Sequence, residues 1–233
     1  AAPSIVMMLF LSMYTIVDGF FISRLVGEAA LSATNIVYPV INLNIALGVM
    51  FATGGSAVVA TQMGQGKIRQ ANENFTLIVV GTLILSVLLA VGVLWQMEPL
   101  CYAMGATQEL MPLCKDYLTV LILFAPASTL QLLFQSFFVT ASRPKLGLGL
   151  SIGAGLFNMV FDYLLMGPLQ MGIKGAAYAT AAGYCIPALG GVLFFLRNQE
   201  GLHFQKFRLH LRVLLQSILN GDQSFHQCHH PVV

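Results

Sequence analysis

Six stretches of this chain run for about 20 residues or more, the length a bilayer core demands, with almost no charge inside them. They are 3–22, 35–62, 75–95, 117–141, 146–166 and 175–195. Soluble domains carry about 25% charged residues, whereas here 9% of residues are charged and 57% are apolar. The expected fold class is an all-α integral membrane protein, multi-pass in the cytoplasmic membrane. The net charge of +2 carries no sign of a nucleic-acid partner. The basic residues matter by location instead.

If the spans alternate, Lys67, Arg69, Arg143, Lys145, Arg197, Lys206, Arg208 and Arg212 fall on one side, against Arg24, Lys115 and Lys174 on the other. The richer side is expected in the cytoplasm, and the chain start with it. Residue 1 is Ala and an apolar run begins at once, so the natural N-terminus is expected to lie upstream. No cleavable signal peptide is visible. The four cysteines show no C-x-x-C spacing. Cys101 and Cys114 are close enough in sequence to meet in one loop. Pro126 is expected to kink the fourth span. Gly149 and Gly153 form a G-x-x-x-G that permits close helix contact, and the only Trp, Trp95, ends the third span at interfacial depth.

Two acidic residues, Asp18 and Asp162, lie well inside the spans. An ionised carboxylate there costs roughly 2.5–3.5 kcal/mol on insertion scales, so it is expected to face other helices or a watery cavity. Asn158 precedes Asp162 by one helical turn, which aims an amide oxygen and a carboxylate at the same place. Oxygen ligands of this kind suit a small cation, and a desolvated carboxyl can instead exchange a proton. Thr180 offers a hydroxyl, although a Thr bonded to its own helix is at least as common. Tyr14 lies one turn before Asp18. Asn35 with Asn42, and Gln131 with Gln135, share helix faces and either line a cavity or bond between helices. The Met and Phe residues read mainly as packing or lipid contacts, some of them able to form an adaptable binding wall.

After Phe195 the character changes. His203 to Leu219 mixes basic and apolar residues and is expected as an amphipathic helix along the inner surface. The end contains His226, Cys228, His229 and His230, a weak metal-like cluster; no metal beyond Na⁺ is expected. The expected organisation is a transmembrane lobe at 1–196, a basic connector at 197–219 and an atypical His-rich tail at 220–233.

Several stretches, taken in order, resemble the multidrug and toxic compound extrusion (MATE) transporters. They are Val17-Asp18-Gly19-Phe20-Phe21-Ile22, the run Gly54 to Lys67, Ser142-Arg143-Pro144-Lys145, Asn158-x-x-x-Asp162, and Gly172-Ile173-Lys174-Gly175-Ala176-Ala177-Tyr178-Ala179-Thr180. The resemblance covers residues 3–200. It implies a six-helix lobe of a twelve-helix, two-lobe antiporter that exports drugs or organic cations in exchange for Na⁺ or H⁺, with no other cofactor and no enzymatic reaction. It also implies a cation or proton site at Asp18, Asn158, Asp162 and Thr180, with Tyr14 close by. In the family a seventh membrane helix follows Asn220-Gly221, whereas a polar His-rich tail follows here. A frameshift or assembly artefact near residue 221 is therefore expected, which leaves a half that needs a second lobe or a second chain.

Three rivals differ in class. Two membrane Asp residues could form the dyad of an intramembrane aspartyl protease, and Pro187-Ala188-Leu189 spells one short motif of that family. Against it, Tyr163 follows Asp162 instead of preceding it, and Leu stands where G-x-G-D needs its Asp in Gly147-Leu148-Gly149-Leu150. A lipid-linked oligosaccharide flippase of similar fold would need cations inside the lobe to hold pyrophosphate. No Lys or Arg falls well inside a span. A membrane fragment without transport of its own is the third.

Overall fold

The computed structural model describes residues 2–227, with the side chains of 2–4, 7, 8, 11 and 222–227 excepted. Helix α1 (Ala2–Phe21) runs into a π-helical turn (Ile22–Val26), and Gly27 then reverses the chain at φ 129°, a conformation L side chains rarely adopt. There follow α2 (Glu28–Gly64), α3 (Ile68–Trp95), the short α4 (Met97–Ala103), α5 (Met111–Leu123), α6 (Ala125–Thr140), α7 (Pro144–Met166), α8 (Ile173–Arg197) and α9 (Leu211–Gln227). Among the described residues, α2, α3, α7 and α8 are long and apolar enough to cross a membrane, and α5 with α6 forms a further span bent by 50°. Helix α1 is 20 residues long, with Asp18 its one charged residue. Each expected span therefore coincides with a helix or, for the fourth, a helix pair.

The bend falls at Phe124, with Pro126 in the first turn of α6. Proline has no N–H to give back to the preceding turn, so the ladder breaks there. Helices α2 and α3 begin earlier than hydropathy suggests. The extra polar turns of α3 find partners: Asn74 Nδ2 donates to Gln62 Oε1 at 2.9 Å, and Arg69 pairs with Glu73 one turn on.

Two apolar cores stack along the bundle. One gathers Val37, Val40, Val93, Cys101, Leu118, Leu121 and Ala177 near the α4 end. The other gathers Phe51, Phe75, Phe134, Phe137, Phe138 and Phe195 near the opposite end, with ring centroids 4.7–5.6 Å apart among several pairs. Between them α2, α3 and α6 meet through buried polar side chains. Ser86 Oγ donates to Asn44 Oδ1 at 3.1 Å, Asn44 Nδ2 reaches the Ala125 carbonyl at 3.5 Å, and the Thr129 hydroxyl lies 3.0 Å from that same carbonyl. This ties the helix after the bend to its neighbours.

The close contact that the G-x-x-x-G permits is not made among the described residues. A Cβ on Gly149 or Gly153 would meet nothing within 4 Å. At 100° per residue, the stripe of α7 that packs inward runs through Gly147, Ala154, Asn158 and Asp162, which turns Gly149 and Gly153 outward. Close approach occurs elsewhere: Gly191 sits against the Phe134 ring, and Gly155 against Phe10. Cys101 and Cys114 are separate buried thiols, not a disulfide.

The connector also departs from expectation. Residues 203–210 are not helical but form an extended strap. The His203 N–H donates to Asn72 Oδ1 at 3.1 Å, and the Gln205 N–H donates to Thr76 Oγ1 at 2.9 Å. Phe204 stacks on Phe75 with centroids 5.0 Å apart. The buried acceptors on α3 hold the backbone open by taking N–H groups a helix would have used. Helix formation resumes at Leu211, and α9 packs along α2, not along a surface. Ser217 and Gly221 lie against Gly54 and Met50, and Leu214 covers Gly81. Of the His-rich cluster, Cys228, His229 and His230 lie outside the described residues, and so does the side chain of His226.

The α2–α9 contact is backbone to backbone: a Cβ on Gly54 would collide with the Ser217 carbonyl. Gly54→Val is expected to lift α9 away at a cost of about 1–3 kcal/mol, the usual scale of overpacking. Hydrogen exchange of residues 211–221 should accelerate while that of α7 and α8 stays unchanged.

Candidate functional site

A cavity of about 430 Å³ opens between α1, α2, α5, α6, α7 and α8. Helical spacing explains which residues face it. Phe10, Tyr14 and Asp18 recur along one face of α1; Leu31, Thr34, Asn35, Tyr38, Ile41 and Ile45 do so on α2. On the bent span the lining runs through Tyr117, Leu121, Ser128, Gln131 and Gln135. Ser151, Ala154, Gly155 and Asn158 come from α7, and Thr180, Gly183 and Tyr184 from α8. The wall is thus largely apolar and aromatic, with a few converging polar groups, as small-molecule sites generally are. Among the described residues it contains no Lys or Arg, and Asp18 is its one charged member.

The expected site residues come together at one side of this cavity. Asn158 Nδ2 donates to Thr180 Oγ1 at 3.4 Å, which links α7 to α8. Gly183, one turn beyond Thr180, packs beside Asn158 on the same face of α8. Asp162 is fully buried one turn from Asn158, and the carboxyls of Asp18 and Asp162 lie within hydrogen-bonding reach of each other. Two carboxylates with no proton or cation between them would repel.

Unmet acceptors mark the spot. Asp18 Oδ1, Asn158 Oδ1 and both oxygens of Asp162 are buried without a hydrogen-bond donor. Buried polar atoms normally find partners, and each one left over calls for an explanation. Here all four are acceptors, from three side chains on two helices. What they lack is a donor or a positive charge. The residues fit a proton or a small cation with an oxygen-ligand preference.

The cavity-lining expectations divide. Asn35, Gln131 and Gln135 face the cavity, and Gln131 Oε1 is buried there without a partner. Asn42 does not. It lies on an exposed face of α2, because two residues on, Asn44 takes the inward position in the network with Ser86 and Thr129. Thr34, Tyr38, Tyr117, Ser128 and Tyr184 were not singled out from the sequence, although Tyr184 follows Thr180 by one turn and Ser128 precedes Gln131 by three. That spacing was the available signal.

A family model described as MatE matches residues 3–164. Among curated proteins, the multidrug export protein MepA of Staphylococcus saprophyticus is 23% identical over 200 residues, covering 86% of this chain and 44% of that protein. MepA of Staphylococcus haemolyticus is 24% identical over 192 residues, covering 82% and 42%. The chain thus spans less than half the length of the curated relatives it matches. Among solved structures, a MATE protein in the bent conformation superposes with a TM-score of 0.85 at 23% identity, over 95% of this chain and 50% of that one. A MOP superfamily transporter from Pyrococcus furiosus gives 0.88 at 23% identity, over 96% and 50%. The fold is that of one six-helix lobe of such two-lobe transporters. With the family model spanning residues 3–164 of the 233, an all-helical membrane bundle and the lobe fold, the chain belongs to the MatE family.

Proposed function

We propose that this chain is the N-terminal lobe of a cation-coupled antiporter that exports drugs or organic cations across the cytoplasmic membrane, driven by Na⁺ or H⁺. The observation that carries this reading is the set of unmet acceptors on Asp18, Asn158 and Asp162 beside the cavity. The names of the relatives, multidrug export proteins, point the same way. Transport, not catalysis, is the task.

A bound cation or proton neutralises the carboxyl pair and lets α1 and α7 sit close together. An organic cation in the cavity offers its own charge to Asp18 and makes the first charge redundant. The two ligands therefore favour different lobe conformations, and their differential affinity moves the equilibrium between them. Alternating access also needs a second lobe around the central cleft, supplied by further polypeptide or by another chain. Residues 1–196 are then the lobe and 197–219 the cytoplasmic connector, with the N-terminus cytoplasmic. A lipid-linked oligosaccharide flippase is disfavoured, since the cavity wall carries no cation to hold a pyrophosphate.

Asp162→Asn removes one of the two carboxyls and should abolish the rise in thermal stability that Na⁺ or acid produces in the purified chain, leaving membrane insertion intact. Asn42→Ala, outside the cavity, should leave that rise unchanged. An Asp162→Asn protein with an undiminished response to both Na⁺ and pH would refute the coupling assignment.

Topology is tested independently. In a background with the native cysteines replaced, Lys67→Cys, in the exposed loop between α2 and α3, should react with a membrane-impermeant maleimide in inside-out vesicles and not in intact cells. Labelling in intact cells would invert the lobe.

A further inference from the structure

The two ends of the bundle treat their charges differently. At the α4 end, Lys115 Nζ lies 2.8 Å from Glu98, and Lys174 Nζ 3.8 Å from Asp116. At the other end only Arg69 has an acidic partner, Glu73. Among the described residues Lys67, Arg143, Lys145 and Arg197 form no ion pair, and neither do Lys206 and Arg208 on the strap or Arg212 at the start of α9. Against these cations, Glu73 on α3 and Glu200 are the acids that this end offers.

The strap adds a second observation. From Lys206 to Arg212 every residue is exposed, and cations alternate with large apolar side chains: Phe207 is 37% exposed, Leu209 72% and Leu211 66%. Water alone does not suit the apolar set, and hydrocarbon alone does not suit the cations. The boundary between headgroups and acyl chains suits both. The anchors place the segment at that depth. The chain before it is tied to Asn72 and Thr76 near the beginning of α3, and its end leads into Leu214 against Gly81, between one and two turns beyond Thr76 on the same helix.

We infer that residues 206–212 form a binding site for the headgroups of anionic phospholipids, with Lys206, Arg208 and Arg212 meeting phosphate and Phe207, Leu209 and Leu211 entering the acyl boundary. Bonds from His203 and Gln205 to α3 fix the chain just before this segment, and Leu211 and Arg212 open helix α9 at its end, so the segment is tethered on both sides and pays less to order on binding. The inference rests on the placement of the strap and the exposed start of α9 at the membrane face and not on coupled export. Loss of the Na⁺ response in Asp162→Asn therefore bears on the transport reading alone.

The test uses the full chain purified in detergent. Its unfolding temperature is followed while phosphatidylglycerol, phosphatidylcholine or inorganic phosphate is added. Phosphatidylglycerol should raise the unfolding temperature saturably, and phosphatidylcholine and phosphate should not. A basic residue near an anionic surface contributes about a fivefold factor in affinity, so Lys206→Gln/Arg208→Gln/Arg212→Gln should raise the half-saturating lipid concentration on the order of 100-fold. Arg208→Lys/Arg212→Lys should retain binding, and so should Lys67→Gln/Arg143→Gln/Lys145→Gln, which removes as many charges elsewhere on the same end. Equal effects of the two lipids would overturn the inference, as would stabilisation by phosphate alone. It also fails if both Gln triples weaken binding equally, which would mean a diffuse positive face, or if the strap triple lowers the unfolding temperature without lipid and leaves half-saturation unchanged, which would mean a surface built to meet further polypeptide.

Discussion

Two carboxyls buried against each other in an apolar bundle set the terms for everything around them. Asp18 and Asp162 come from helices far apart in sequence and meet without a basic residue to neutralise them. Taking such charges out of water is costly. The bundle does not meet that cost with its own donors; Thr180 receives the Asn158 amide, and the acceptor oxygens stay open. Away from the cavity the described buried side chains find partners, as the Asn44, Ser86 and Thr129 network shows. The shortage of donors is thus local, which is what a site for a mobile charge requires.

The rest of the architecture serves that pair. The two apolar cores hold α2, α3, α6 and α8 rigidly at both ends, while α1 rests mainly on α7 and leaves Leu9, Met13, Ile16 and Phe20 exposed. A helix with one packed face moves at less cost than one gripped on all sides. It carries one carboxyl of the pair, and the better-held α7 carries the other. At the far end the strap closes the aromatic core with Phe204 and leads the chain into α9, which lies along α2 where Gly54 lets the backbones touch.

Much of this was legible from residue order alone. Apolar run length located every span, because the demand for about 20 apolar residues acts on each segment separately. The lone Asp residues stood out for the same reason, and the four-residue step from Asn158 to Asp162 placed both on one face whatever the helix packed against. Pro126 marked the bend because its missing N–H is a local defect.

What tertiary structure alone decided was direction and partnership. Asn42 and Asn44 are two residues apart and alike in chemistry, yet Asn44 faces Ser86 and Thr129 while Asn42 faces outward. Gly149 and Gly153 had the spacing of a helix contact and found no neighbour. The basic segment 203–210 looked amphipathic and became an extended strap because Asn72 and Thr76 captured its backbone N–H groups. Sequence thus determined which segments are helices in a membrane and which residues are too polar to lie idle there. Only packing determined which way each helix turns, since rotation about a helix axis is settled by all its neighbours at once and no single segment encodes it.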